Sequence, residues 1–292
     1  MTDRLRNLAV RVPGSTSNLG AGFDCLGLAL DLWLEAELVP GSGRPKYKGT
    51  VSGLDGDTDL VYRMLAERDA FDGYRLTVQS SIPIGRGLGS SAAALVAGLA
   101  LARLAEGDPL DLEAIYRGAT IEEGHPDNAG PAVFGGLVLA AQSAAPLPFH
   151  GDLAVALAVP EKSISTKAAR DLVPTAFPRE TAIAQATRSA ALVIGLTTGD
   201  PDLIRFGMDD RLAVPHRKGL IEGFDSAVRA ALVAGAHGVT ISGAGSALVA
   251  IVPSGRQEQV AEAMAAALVQ AGNAAVPATP AIATEGLQVV SE

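Results

Sequence analysis

Three glycines at alternate positions, Gly85, Gly87 and Gly89, are followed at once by Ser90 and Ser91. They lie in Ile82-Pro83-Ile84-Gly85-Arg86-Gly87-Leu88-Gly89-Ser90-Ser91, after an alternating stretch and ahead of the Ala- and Leu-rich run Ala92 to Glu106. Glycine has no Cβ to keep an anion away from backbone N–H groups. The first N–H groups of a helix are unpaired, and its macrodipole favours negative charge there. The Ser90 and Ser91 hydroxyls can also reach a phosphate or a Mg2+ held by it. Phosphate binding is therefore the chemistry that this segment can do. It is not a Walker A loop, since no lysine follows the last glycine, and alternate glycines do not make the dinucleotide fingerprint. The bland alternative is a turn that merely caps a helix with serine.

Other polar segments are weaker signals by themselves. Ser242-Gly243-Ala244-Gly245-Ser246 lies between two apolar strands and reads as a hairpin that needs positive φ. Gly14 to Gly22 is rich in Gly, Ser and Asn and reads as a loop, with Asn18 and Asp24 as turn formers. Glu122 and Glu123 end a helical stretch broken by Gly124-His125-Pro126-Asp127-Asn128. No second histidine stands at metal-ligand spacing from His125, so a structural role is its ordinary reading.

Periodicity supplies the elements that must position these residues. Leu8, Val10 and Val12 alternate as a strand, as do Leu30 to Leu38 and Tyr74 to Val78. Ala92 to Glu106 is a helix stopped by Gly107, and Asp108-Pro109 or Asp111 caps the next, which runs to about Glu123. Gly136 to Ala140 and Leu153 to Val159 read as strands, with Ala144 to Pro148 as a boundary region between two halves. Beyond it, Thr181 to Thr198, Leu220 to Ala236 and Arg256 to Ala271 read as helices. Gly238 to Ile241, Ala247 to Val252 and Leu287 to Val290 read as strands. That order suggests a ferredoxin-like second half. The division expected is 1–150 and 151–292.

The chain has 292 residues, 48% of them hydrophobic, which suits two packed domains. A net charge of −9 argues against a nucleic-acid partner, which would need a basic face, but leaves room for a small anion. One cysteine, Cys25, forms neither an internal disulfide nor a thiolate metal site and suits a reducing compartment. The charged start Met1 to Arg6 shows no targeting signal, and the longest apolar run, Ala92 to Leu101, is too short to span a bilayer. A cytoplasmic protein with no membrane partner is expected.

Pro83-x-x-x-Gly87-Leu88-Gly89-Ser90-Ser91-Ala92-Ala93 resembles the phosphate loop of the superfamily of galactokinase, homoserine kinase, mevalonate kinase and phosphomevalonate kinase. Val10 to Asp24 resembles the first motif of homoserine kinases, and Ser242 to Ser246 the third motif of the superfamily. Glu122 to Ala132, Ile164 to Arg170 and Asp210 to Arg217 are also similar to homoserine kinase segments. These matches run in one order from about Val10 to Val252. Departures are Gly14-Ser15 for Ala-Thr or Ala-Ser, Ala21 and Ser246 for prolines, and Ala129-Gly130 for Val-Ala.

The resemblance implies an α+β, two-domain fold with an N-terminal ribosomal-protein-S5-like domain and a C-terminal ferredoxin-like domain. It implies transfer of the γ-phosphate of ATP, with Mg2+, to the hydroxyl of L-homoserine. Pro83 to Ala93 (Pro83, Ile84, Gly85, Arg86, Gly87, Leu88, Gly89, Ser90, Ser91, Ala92, Ala93) would wrap the triphosphate, supported by Gly243 and Gly245. Ser91 and Glu123 would hold the metal, with Glu122 as the alternative register. Arg170 and Arg217 would grip the acceptor carboxylate, Asp24 and Asp127 its ammonium, and His125 would line the pocket. Asn18, Asn128 and Thr166 would orient the hydroxyl. Its proton would pass to the γ-phosphate itself or to Asp127. Members of the family are often homodimers, although no residue here assigns an oligomeric state. Two other readings stand beside this one: a related kinase with an isoprenoid or sugar acceptor, and a non-catalytic nucleotide sensor.

Overall fold

The structure, a computed structural model, describes residues 6–68, 70 and 72–290. The reading of Met1 to Arg6 thus falls, for residues 1–5, outside the described residues. The chain opens on β1 (Leu8–Asn18) and β2 (Gly22–Pro40), a long antiparallel pair. Leu34, Ala36 and Leu38 are buried while Asp31 and Glu35 are exposed, which is the period-2 pattern the sequence shows. β3 (Lys46–Gly49), α1 (Leu60–Ala66) and β4 (Tyr74–Ser80) follow, with β3 parallel to β4. Next come α2 (Ser90–Glu106), α3 (Leu112–Glu123), α4 (Ala129–Phe134), β5 (Leu137–Ala140) and β6 (Ala144–Leu147). β2 is long enough to pair with β5 near its start and with β4 near its end.

Every residue of α2 from Ala92 to Ala102 is buried. A helix that is apolar all round has to be an internal one, and here it runs between the sheet and its neighbours α1 and α3. Gly107 stops it in the left-handed region, at φ 80°. Of the two caps offered for the next helix, Asp111 is the one used, accepting from the Ala114 N–H at 3.0 Å.

The second half comprises β7 (Leu153–Pro160), α5 (Thr166–Asp171), α6 (Arg179–Thr198), α7 (Pro201–Met208), α8 (Val214–Arg217) and α9 (Phe224–Val233). It continues with β8 (Gly238–Ile241), β9 (Leu248–Pro253), α10 (Gln257–Gln270) and β10 (Ala275–Ala278). Its sheet has the order β10-β7-β9-β8, all antiparallel, with α9 and α10 as the two crossings. This is the ferredoxin-like arrangement, interrupted between β7 and α9 by the insertion α5 to α8.

Three expectations change. Leu287 to Val290, read as the last strand of the second half, contains β11 (Gln288–Val289), which pairs with β1 in the first sheet. The fourth strand of the ferredoxin-like sheet is β10, whose sequence Ala-Val-Pro-Ala alternates too weakly to show. Gly14 to Asn18 is strand, not loop: it continues β1, and register shifts after Pro13 and Ser17 absorb its irregularity. Ala144 to Leu147 is likewise a strand, paired with β5.

Leu101 of α2 is wholly buried in the main core. Leu101→Ala is expected to cost about 2–5 kcal/mol of stability. Urea denaturation checks this, and a loss below about 1 kcal/mol would show that α2 is not the centre of the core.

Candidate active site

The loop between β4 and α2 bends through left-handed glycines, with φ 68° at Gly85, 74° at Gly87 and 71° at Gly89. Gly89 itself is the N-cap of α2 and brings no side chain to cap it. Ser90 is the first helical residue, so the serine-capped turn of the bland reading is not what forms. The opening N–H groups of α2 are left to an outside acceptor. A Cβ on Gly89 would run into Ser15, and one on Gly87 into the Ser242 carbonyl. The loop is pinned on both sides at those points. Ser15 N donates to Leu88 O at 3.1 Å and Ala247 N to Arg86 O at 3.0 Å. Ser242 Oγ donates to Gly87 O at 2.6 Å.

A cavity of about 240 Å³ opens beside this loop. From the loop it is lined by Ile84, Gly85, Gly87, Leu88, Gly89, Ser90 and Ser91. Facing them are Asn18, Glu123, His125, Asp127 and Asn128, then Thr166, Arg170, Arg217 and Gly243. The remaining residues expected at the site lie just outside. Ala92 and Ala93 are core residues. Pro83 and Gly245 are not among the residues that line the cavity. Arg86 turns away and donates to the carbonyls of Pro160 (3.1 Å), Ile84 (2.5 Å) and Glu161, which ties the loop to the second half. Asp24 stands one step back, paired with Arg170. Glu122 points away from the cavity, bonded to Arg63 at 2.9 Å, so of the two registers it is Glu123 that faces the loop.

Ser91 Oγ donates to Glu123 Oε2 at 2.8 Å. Burial pushes the Glu123 carboxyl above the usual carboxylate range, and the Ser91 hydrogen bond and the charge on His125 only partly oppose this. A buried carboxylate beside a hydroxyl, at the start of a helix with free amides, is a set of hard oxygens short of positive charge. The set fits Mg2+. The other cluster of potential ligands, Asp24, His125 and Asp127, has its atoms within 4.8 Å of one another. Its acids are already tied, Asp24 to Arg170 and Asp127 to His125.

His125 Nδ1 lies 2.5 Å from Asp127 Oδ1, and Nε2 lies 3.9 Å from Glu123 Oε1. Burial disfavours its imidazolium, but the bond to Asp127 and that residue's charge outweigh burial and raise the pKa. Asn128 is locked in its turn: Oδ1 accepts from Ser15 Oγ at 2.8 Å, and Nδ2 donates to Ser17 Oγ at 3.0 Å. Thr166 opens α5 and stands exposed at the mouth.

Asn18 and Asp24 adopt left-handed φ values of 68° and 55°, which are strained for residues with side chains. The strain has local support, since Asn18 Oδ1 accepts from Asp24 N and Nδ2 donates to Gly243 O, both at 2.9 Å. Asp24 forms a two-pronged pair with Arg170, at 2.6 and 3.0 Å. Arg217 is different. It is 3% exposed, donates only to the carbonyls of Ala169 (2.9 Å) and Gly243 (3.5 Å), and lies 5.1 Å from the Phe23 ring centroid. Among the described residues no carboxylate is within 4.0 Å of it. Burial and the nearby Arg170 charge lower its pKa. A buried cation with no counter-ion costs several kcal/mol, and an anion in the cavity would relieve that cost.

Sequence reasoning overlooked an apolar cavity of about 130 Å³ that shares Ile84, Ser90 and Ser91 with the cleft and is walled by Leu34, Val51, Leu54 and Val78. They come from β2, from β4 and from the loop between β3 and α1, and none is part of a motif. Ser17, Ser15 and Ser242 were within the quoted motifs, but only the fold shows which partners they fix.

The family model described as GHMP kinases N terminal domain matches residues 59–136, and that described as GHMP kinases C terminal matches residues 192–270. A homoserine kinase of Synechococcus sp. is 39% identical, the match covering 97% of this chain and 98% of the relative. A homoserine kinase of Thermus thermophilus is 40% identical over 87% of this chain and 90% of its own. The crystal structure of homoserine kinase from Cytophaga hutchinsonii superposes with a TM-score of 0.85, at 27% identity and 99% coverage of both chains.

Gly89→Ala tests the loop. A non-glycine residue in the left-handed region costs about 1–2 kcal/mol, before the contact with Ser15 is added. Affinity for a non-hydrolysable ATP analogue, measured by calorimetry, is expected to fall about tenfold or more. Unchanged affinity would remove Gly89 from the phosphate site.

Proposed function

The chain belongs to the homoserine kinases of the GHMP kinase superfamily, and from that premise we propose how its cleft moves the γ-phosphoryl group of ATP to the hydroxyl of L-homoserine, giving ADP and O-phospho-L-homoserine. The observation that carries the reading is the buried, unpaired Arg217, in the same cavity as the free amides of α2 and next to the Asp24–Arg170 pair.

The triphosphate lies along Gly85 to Ser91, its anionic oxygens accepting from the backbone N–H groups at the start of α2. The adenine occupies the neighbouring apolar cavity, where Leu34, Val51, Leu54 and Val78 exclude water from its faces. Ser91 and Glu123 hold Mg2+, which when bound offsets the negative charge of the phosphate oxygens.

The acceptor is a zwitterion, and the opposite side of the cavity carries both signs of charge. Arg217 takes its carboxylate, with Arg170 beside it, because a guanidinium fork matches a carboxylate in geometry as well as charge. Asp24 takes the ammonium, with Asp127 nearby. Asn128, fixed by Ser15 and Ser17, aims the hydroxyl, and Thr166 closes its approach at the mouth. Asn128 has no basic atom, and Asp127 Oδ1 is engaged by the His125 imidazole. His125 is held at Nδ1 by that same carboxylate, and its Nε2 lies 3.9 Å from Glu123 Oε1. The hydroxyl proton therefore goes to a phosphoryl oxygen as the new bond forms. Phosphoryl transfer depends on position and charge more than on a base, so the arrangement suffices. Among the described residues no helix is long and apolar enough to cross a membrane. A cytoplasmic location is part of the proposal, supported by the single thiol.

ADP release from MgATP should be stimulated by L-homoserine well above mevalonate, galactose or no acceptor. Equal rates with and without acceptor would overturn the assignment. Arg217→Ala removes a charge-assisted contact worth about 1.5–3 kcal/mol, so the KM for homoserine should rise at least about tenfold with the KM for ATP nearly constant. Glu123→Gln should lower kcat by about tenfold or more and shift the Mg2+ requirement upward. Turnover with an unaltered Mg2+ titration would take Glu123 out of the metal site.

A further inference from the structure

Two buried polar side chains remote from the phosphate loop have no part in the scheme above. Gln185, on α6, is 7% exposed and Asp210, after α7, is 4% exposed. Gln185 Nε2 donates to Asp210 Oδ1 at 2.8 Å and to Ala21 O at 3.1 Å, and Gln185 Oε1 accepts from Arg211 N at 2.9 Å. Asp210 also accepts from the backbone N–H groups of Leu212 (3.2 Å), Ala213 (2.6 Å) and Val214 (2.6 Å). No basic side chain among the described residues forms an ion pair with it. Its charge is instead spread over backbone amides and one carboxamide, with every contact satisfied.

The two ends of this network decide what it does. Ala21 belongs to the turn between β1 and β2, three residues before Asp24. Ala213 and Val214 open α8, which is one turn long and ends on Arg217. α8 has no other side-chain cap, so Asp210 alone sets where its first amides sit. One buried pair thus joins the support of the acceptor's ammonium end to the support of its carboxylate end.

We propose that Gln185 and Asp210 are positioning residues for the acceptor, holding the Arg217 helix and the turn before Asp24 at the separation that a short zwitterion requires. This rests on the reading that Arg217 and Asp24 bind the acceptor. Asp210→Asn keeps the size, but in either orientation of the new amide an NH2 group faces N–H donors. Gln185→Met keeps length and bulk and removes all three of its bonds, leaving the caps of Asp210 intact. In both variants α8 and the turn lose their common reference while the phosphate loop is untouched.

The test is steady-state kinetics on the full chain. Leu196→Ala, a wholly buried substitution on the same helix with no polar contact, serves as the control for lost stability, and Arg217→Ala as the control for the site. Gln185→Met and Asp210→Asn should each raise the KM for homoserine about tenfold, with the KM for ATP within about twofold, as expected for losing a hydrogen bond that holds a charged group in place. Leu196→Ala should lower the melting temperature and leave both KM values near wild type. The inference is overturned if the homoserine KM of both variants stays within about twofold of wild type while Arg217→Ala raises it, or if the two KM values rise together. If Arg217→Ala itself leaves the homoserine KM unmoved, the acceptor reading falls and this inference with it. Should Asp210→Asn not fold, Gln185→Met decides the matter by the same criteria.

Discussion

The opening amides of α2 cannot pair within their own helix, and the structure keeps them unpaired from within while surrounding them with rigid neighbours. That constraint organises the N-terminal half. α2 is buried on all sides, so its start cannot shift toward a more comfortable position. Its cap is a glycine with no side chain to offer, and the loop before it is clamped by β1 on one side and by the Ser242 to Ser246 loop on the other. Holding unpaired N–H donors at the head of an apolar helix costs free energy. The same feature makes the site preorganised for a polyanion, because no internal bond has to break when it binds.

The acceptor end follows a different logic. Here the charges are many, and most are already matched to each other: Asp24 to Arg170, and Asp127 to His125. Arg217 is left with two carbonyl oxygens and the Phe23 ring, with no carboxylate among the described residues paired to it. A ligand with one charge would satisfy Arg217 or compete for Asp24 without replacing what it disturbs. A zwitterion can add a carboxylate to the arginine side and an ammonium to the acid side at once, which leaves fewer buried charges uncompensated. On the proposed reading, selectivity for an amino-alcohol would be a property of the whole charge set rather than of any one contact.

The two halves are locked together at the site, not merely near it. Ser242 reaches Thr16 across 226 residues of sequence at 2.8 Å, and Asn18 reaches Gly243 at 2.9 Å. Arg86, in the middle of the phosphate loop, is spent on carbonyls of the second half. Arg86 fixes the loop against β7 and leaves the backbone amides at the head of α2 on the cleft side. The return of the chain as β11 beside β1 makes the first sheet depend on the last residues as well.

Local physics was legible in the residues. Glycines at alternate positions before an Ala-rich run permit a loop with left-handed φ values and favour a helix after it, and that is what the segment at Gly85 to Glu106 forms. Asp111 as a cap, Gly107 as a stop, and the alternation of β2 follow from interactions within a few residues. The superfamily motifs contain most of the residues that the fold brings to one cleft. Contacts between distant segments were not legible. Asp24 and Arg170 are 146 residues apart, and nothing local marks them as partners. That Arg217 is buried without a counter-ion, that Arg86 turns away, and that the last strand joins the first sheet depend on which surfaces are brought together. The chain by itself determined the elements and the chemistry available at their ends, because backbone preferences act over one or two turns. The tertiary structure decided which charges meet and which are left for a ligand, because burial and pairing are set only when the halves close on each other.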